Sequence, residues 1–548
     1  MIPTAVASCG DDNPDCQFDD GAWGYNYLKE SSAAMAFLRD DGYLPHKPYS
    51  CCRNLRYCSR GRAQAVQAIK REELPFYANV LDHIPSFGYS SWLGSFISSF
   101  KYVGNAVQIL QEGRAKYKET PFKVPTLNRW IVIIDRRHLE DIKKSTEDEL
   151  SLIEAANETA KVDHLIGREI SSNPYHVSVA RIHLTRNIGL YYPDLKDEVH
   201  TAFEELLDLK DNAWKSVPAM DTMREIVCRA SNRVFVGLPL CRDPDWIDLN
   251  SRFAVDVATD ANILNMFPKF LVPFVSKILP NTAAGIERAR KHLDPIIKER
   301  LRCMKEHGDE WSNKPNDILQ WLIDEKQEST TKQLTLRVLT INFASIHSTS
   351  NTFTQALYNL AAYPQYVGPL REEVDTIIRE HGWTKEAIAM MCKVDSFLAE
   401  TQRLENVLSA SVQRKAMKDL TLSDGTFIPK GTYLSVPTYL MHRDSTVYEN
   451  PGCFDPFRFS KLRVDGNESG RHQMVAVNQD YFPFGYGKHA CPGRFLAATE
   501  LKTMLAYILT MYDVKFEDKV SRPASIHWDL NVIADPTVRV MFRKRVDS

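Results

Sequence analysis

The amino-acid sequence predicts a mainly α-helical protein with a smaller β-rich part. Three observations carry that expectation. Between residues 140 and 310 apolar side chains recur three and four apart, as in VHTAFEELLDL and AMDTMREIVCRASNRVF. A long helical candidate runs from Gln333 to Tyr363 and stops before Pro364, whose ring cannot continue a helix. Strand-like runs lie at the flanks: RWIVIID from Arg129, the stretch LTLSDGTFIPKGTYLSV with its DG and PKG turn signals, and short segments after Tyr512.

In chain order, residues 1–75 combine an acidic start, five cysteines (Cys9, Cys16, Cys51, Cys52, Cys58) and a basic run from Arg53 to Arg71, with no lasting period. They are expected to be a disordered or non-native leader, with the domain occupying 76–548. The remaining cysteines, Cys228, Cys241, Cys303, Cys392, Cys453 and Cys491, are isolated, which is no disulfide framework and points to a reducing compartment. The 68 Lys and Arg balance 70 Asp and Glu to a net charge of -2, giving no support for bulk nucleic-acid binding. No window of 18 consecutive apolar residues is present, so no spanning helix is expected. The stretch Trp92 to Ile109, broken by serines and Lys101, is too polar to cross a bilayer but suits lying against one.

Two further helices are expected around 365–381 and 395–408, a Pro- and Gly-rich loop from Glu449 to Asp480, and a last helix starting near Pro492. The centre of the long helix, FASIHSTSNTF, is rich in small hydroxyl residues that weaken helix interiors. It reads equally as a kinked packing helix or as a polar patch facing a cavity.

The chemistry concentrates in YFPFGYGKHACPGRFLAATE. Phe484, Gly487, Cys491 and Gly493 form F-x-x-G-x-x-x-C-x-G. At this composition, chance would produce the pattern roughly 0.001 times per chain. Gly485 and Gly487 allow a tight turn and close approach to a flat ring. A helix beginning at Pro492 would point its positive end at the Cys491 sulfur, lowering the thiol pKa and favouring the thiolate. Such an anionic ligand pushes electron density through iron and favours O–O cleavage.

This loop resembles the haem-binding loop of the cytochrome P-450 family, and the likeness extends over roughly residues 120 to 540, most closely to fungal members of secondary metabolism. It implies the P-450 fold, haem b ligated by Cys491, and insertion of one oxygen atom into an apolar small molecule such as a terpenoid or steroid. Electrons would come from NADPH through a separate cytochrome reductase docked on a basic face that includes Lys488 and Arg494. Glu400 and Arg403 match the family's E-x-x-R pair, with Arg458 of FDPFRF as third member. His489, Arg414 (five before Asp419) and Arg181 match positions that contact haem propionates, while Val177 stands where the family has a Trp. The oxygen-activating pattern aligns with Ala344, Ser345, Ile346, His347, Ser348 and Thr349, so His347 replaces the usual acid. A histidine can relay protons, and either Ser348 or Thr349 can hold a water. The replacement leaves two other readings open: an isomerase or peroxide-using haem-thiolate enzyme, and a haem-binding sensor without turnover. The resemblance also implies the cytosolic face of the endoplasmic reticulum, although this sequence by itself reads soluble.

Overall fold

The computed structural model describes residues 78–546 apart from 89–91, 127–128, 329, 465–468 and 518–520. The expectation for residues 1–75 lies outside the described residues. Helices dominate, as the 3.6-residue period requires. The principal ones are α1 (Trp92–Tyr117), α2 (Leu152–Ala160), α3 (Ile188–Leu207), α4 (Ala219–Phe235), α5 (Pro244–Asn265), α6 (Asn281–His307), α7 (Thr331–Ala362), α8 (Val367–His381), α9 (Cys392–Leu404) and α10 (Arg494–Met511). Their ends follow local chemistry. The Thr330 hydroxyl caps α7 by accepting from the Gln333 amide, and Asp243 caps α5 by accepting from Trp246, with Pro244 at its first position.

Helix α7 runs through the interior. Every residue from Thr349 to Leu360 is buried, and the helix packs on α4, α5, α6, α9 and α10. The main apolar core surrounds it. A second core lies between α1 and a five-stranded sheet made of Phe122–Pro125 (β1), Trp130–Ile133 (β2), Leu150–Ser151 (β3), Ser411–Ala416 (β4) and Tyr433–Val436 (β5). Its order is β1-β2-β5-β4-β3, antiparallel except for β2 beside β5, where Ile131 sits opposite Tyr433. A three-stranded sheet forms from Lys215–Pro218, Arg539–Lys544 and Tyr512–Phe516, with Arg539–Lys544 in the middle.

Two sequence expectations are corrected here. The stretch from Trp92 does not offer a lipid-facing surface through its second half: Tyr102, Ala106 and Leu110 are buried in the second core, against the sheet. The helix expected over 395–408 ends at Leu404, because Val407 and Leu408 pair in extended form with the hairpin strand Asn531–Ile533.

Candidate active site

The loop from Phe482 to Gly493 is a scaffold for one sulfur. Gly485 and Gly487 take φ of +80° and +70°, values that only glycine adopts without strain, and a Cβ on Gly487 would come within 3.3 Å of the Lys143 backbone. The Phe484 carbonyl accepts the Cys491 amide at 2.8 Å, closing the turn. The helix that follows starts at Arg494, with Gly493 as its cap, two residues later than Pro492. Backbone N–H groups of Gly493 and Arg494 donate to the sulfur. These donors are outweighed: burial pushes the Cys491 thiol up, the reverse of the expected lowering.

Cys491 lines a cavity of about 560 Å³ whose opposite wall is α7. The α7 residues facing it include Phe343, Ala344, Ser345, Ser348, Thr349 and Thr352. These positions recur at i, i+1, i+4 and i+5, one face of a helix. The small hydroxyl residues at the helix centre thus face a cavity, and Ser348 satisfies itself by donating to the Ala344 and Ser345 carbonyls at 3.0 and 3.2 Å. The remaining wall is mostly aliphatic, with Leu152, Ile166, Val177, Leu184 and Leu496 among its members. His347 is not brought there. It is on another face of α7, hydrogen-bonded to the Ser251 backbone of α5, and burial keeps its imidazole neutral.

Of the other predicted residues, Phe484, His489, Gly493 and Arg181 also line the cavity. Arg181 donates to the Lys488 carbonyl at 2.9 Å, and His489 pairs with Glu147 at 2.8 Å. Open space faces Gly493, where an added Cβ would meet nothing within 4 Å. Arg414 and Gly487 do not line the cavity: the Arg414 guanidinium is buried, donates to the Gln413 carbonyl at 2.7 Å, and burial brings its pKa down to about 10. Glu400, Arg403 and Arg458 form a buried ionic cluster. Arg403 meets both Glu400 oxygens at 2.7 and 2.8 Å, and the Arg458 Nε stands 3.2 Å from each. Arg403 also donates to the carbonyls of His442 and Pro451, so its charge is satisfied on every side. The same spacing at Glu287 and Arg290 makes only a surface pair.

Two titratable cavity residues were not singled out from the sequence. Glu500 on α10 is buried, accepts from the Ser231 hydroxyl, and is pushed by burial up to about 8. Its signal was an acid inside the apolar run FLAATELKTMLAYIL. The other is His176, which as a lone histidine carried no signal.

The donor set suits a flat haem ring: Cys491 and the small side chains of α7 line one cavity, and Arg181 and His489, on the same wall, would serve the ring's acidic groups. The fold and the site define a haem-thiolate oxidoreductase. The family model for cytochrome P450 matches residues 179–542, and the chain belongs to that family. Cytochrome P450 monooxygenase 71 of Postia placenta is 44% identical over 472 residues, which cover 85% of this chain and 94% of that protein. Cytochrome P450 monooxygenase CYP512U6 of Ganoderma lucidum is 33% identical, covering 84% and 91%, and cytochrome P450 monooxygenase braC of Annulohypoxylon truncatum is 34% identical, covering 81% and 89%. The chain is accordingly a monooxygenase of the haem-thiolate class.

Proposed function

We propose that this protein hydroxylates an apolar small molecule of terpenoid, steroid or related type. One atom of dioxygen enters a C–H bond and the other leaves as water, with two electrons from NADPH delivered by a separate flavin reductase. The observation that carries the reading is that one cavity joins Cys491 to the hydroxyl-rich face of α7 behind aliphatic walls.

When bound, haem supplies the oxygen-activating chemistry; Cys491 is its proposed ligand, with Arg181 and His489 as the proposed hydrogen-bond donors to its carboxylates. Ser348 and Thr349 are the proposed holders of a water in the proton path. Exposed Lys488 beside part-exposed Arg494 supports docking of an acidic reductase surface on the loop side.

Membrane contact is proposed for the segment after α5. Met266, Phe267, Phe270, Phe274 and Ile278 are exposed, interleaved with exposed Lys269 and Lys277. Among the described residues no helix is long and apolar enough to cross a membrane. A peripheral position on the cytosolic face of the endoplasmic reticulum accords with both.

The test is the absorption spectrum of the reduced, carbon-monoxide-bound holoprotein, followed by product formation with NADPH, reductase and dioxygen against peroxide alone. The thiolate-ligated, red-shifted Soret band should be present and vanish in Cys491→Ala. A band unchanged by that substitution, or product formed only with peroxide, overturns the reading.

A further inference from the structure

Part of the cavity wall is held by contacts that the motif residues do not explain. From Val162 to Val177 the chain passes through a π-helical turn (Asp163–Gly167), a short helix (Arg168–Ser172) and Pro174. It supplies Val162, Ile166, Ile170, Pro174 and His176 to the cavity. This stretch is tied to α7 by one side chain. Arg337, fully buried, donates from Nη2 to the Glu169 carbonyl at 3.0 Å and from Nη1 to the Asn173 carbonyl at 2.7 Å. The same Nη1 lies 2.9 Å from Nδ1 of His176. Its Nε pairs with buried Glu328 at 2.5 Å, and its guanidinium stands 4.2 Å from the Tyr175 ring centre.

The contact to His176 has a chemical consequence. A guanidinium only donates, so Nδ1 must present its lone pair. Burial and the adjacent Arg337 charge push the His176 pKa down to about 4, so the ring is neutral at ordinary pH. A neutral imidazole with a lone pair at Nδ1 carries its proton on Nε2. No described residue accepts a hydrogen bond from that nitrogen, while the ring lines the cavity.

We propose that His176 is a specificity-determining donor: its Nε2–H binds an oxygen acceptor on an otherwise apolar substrate, and Arg337 is the positioning residue that holds the ring in that tautomer. The proposal rests on the reading of the cavity as the substrate site. It predicts substrates that carry a carbonyl, ether or hydroxyl oxygen away from the carbon to be oxidised. It also names the class of reaction upstream: a step that leaves an oxygen function on the hydrocarbon skeleton.

The test uses the holoprotein and two rigid probes, adamantane and 2-adamantanone, with dissociation constants read from the Soret shift. A neutral hydrogen bond in such a site is worth about three- to tenfold in affinity. His176→Phe should lower the ketone-to-hydrocarbon preference by about that factor while adamantane binding changes by less than about twofold. In histidine-¹⁵N-labelled ferrous carbon-monoxide protein, His176 should show the Nε2–H tautomer, and Arg337→Met should convert it to a mixture. Equal weakening of both probes by His176→Phe, or a proton on Nδ1 in the parent protein, overturns the proposal. If Arg337→Met does not fold, the parent spectrum and the His176→Phe ratio decide alone. Failure of the proposed function is separately visible, as a missing thiolate band in the same preparation.

Discussion

Neutralising Glu400 isolates the worth of the buried ionic cluster. In Glu400→Gln the shape is kept but the charge between two guanidinium groups is lost. Glu400 and Arg403 are both fully buried, Arg458 nearly so, and the lost charge also accepts the Asp455 amide at 3.0 Å. Breaking a buried pair leaves an uncompensated charge and costs about 3–5 kcal/mol. If roughly 470 residues unfold together at about 2.1 cal/mol/K each, the unfolding entropy is about 1 kcal/mol/K. The expected fall in Tm by calorimetry is therefore about 3–5 °C. Glu287→Gln is the control. It breaks an identical i,i+3 pair whose side chains are 63% and 32% exposed, and should cost below about 0.5 kcal/mol. If the two variants lower Tm equally, burial is not what gives the cluster its weight and the reasoning fails.

Three further outcomes follow from the site and its surface. Thr349→Ala or Ser348→Ala should raise NADPH consumed per product formed several-fold, whereas His347→Ala should leave that ratio within about twofold, since His347 does not reach the cavity; product and cofactor assays compare them. Glu500 has a folded pKa of about 8, above its ordinary value, so the folded state holds a proton that the unfolded chain releases. Its stabilisation is complete below the ordinary carboxylate range and is lost as pH rises towards 8, so Glu500→Gln should flatten that part of the stability–pH curve by a few kcal/mol in denaturant melts, and a parallel curve would refute it. Phe270→Asp with Phe274→Asp should weaken sedimentation with phosphatidylcholine–phosphatidylserine vesicles at least about tenfold without altering the carbon-monoxide spectrum, and equal sedimentation would remove that face from contact with lipid.

The cysteine loop was legible because its residues are consecutive: glycines at φ of +80° and +70° and a cysteine at fixed spacing describe one turn, and a turn is a local structure. The thiol's pKa was not legible. Its direction depends on how much protein surrounds the sulfur, and burial there exceeds the effect of the two amide donors. Glu400 and Arg403 could be found only as a spacing shared with Glu287 and Arg290, because spacing says nothing about solvent.

From sequence alone came the helical class, the long central helix, the sulfur and the hydroxyl residues opposite it, since each follows from a period or a motif within a few tens of residues. Packing decided the rest. It turned His347 away from the cavity towards Ser251, buried Tyr102, Ala106 and Leu110 against a sheet, and placed Arg337 against His176, 161 positions away in the chain. Contacts of that kind form only when distant segments meet, and the charge, tautomer or exposure of each side chain is set by what it meets there.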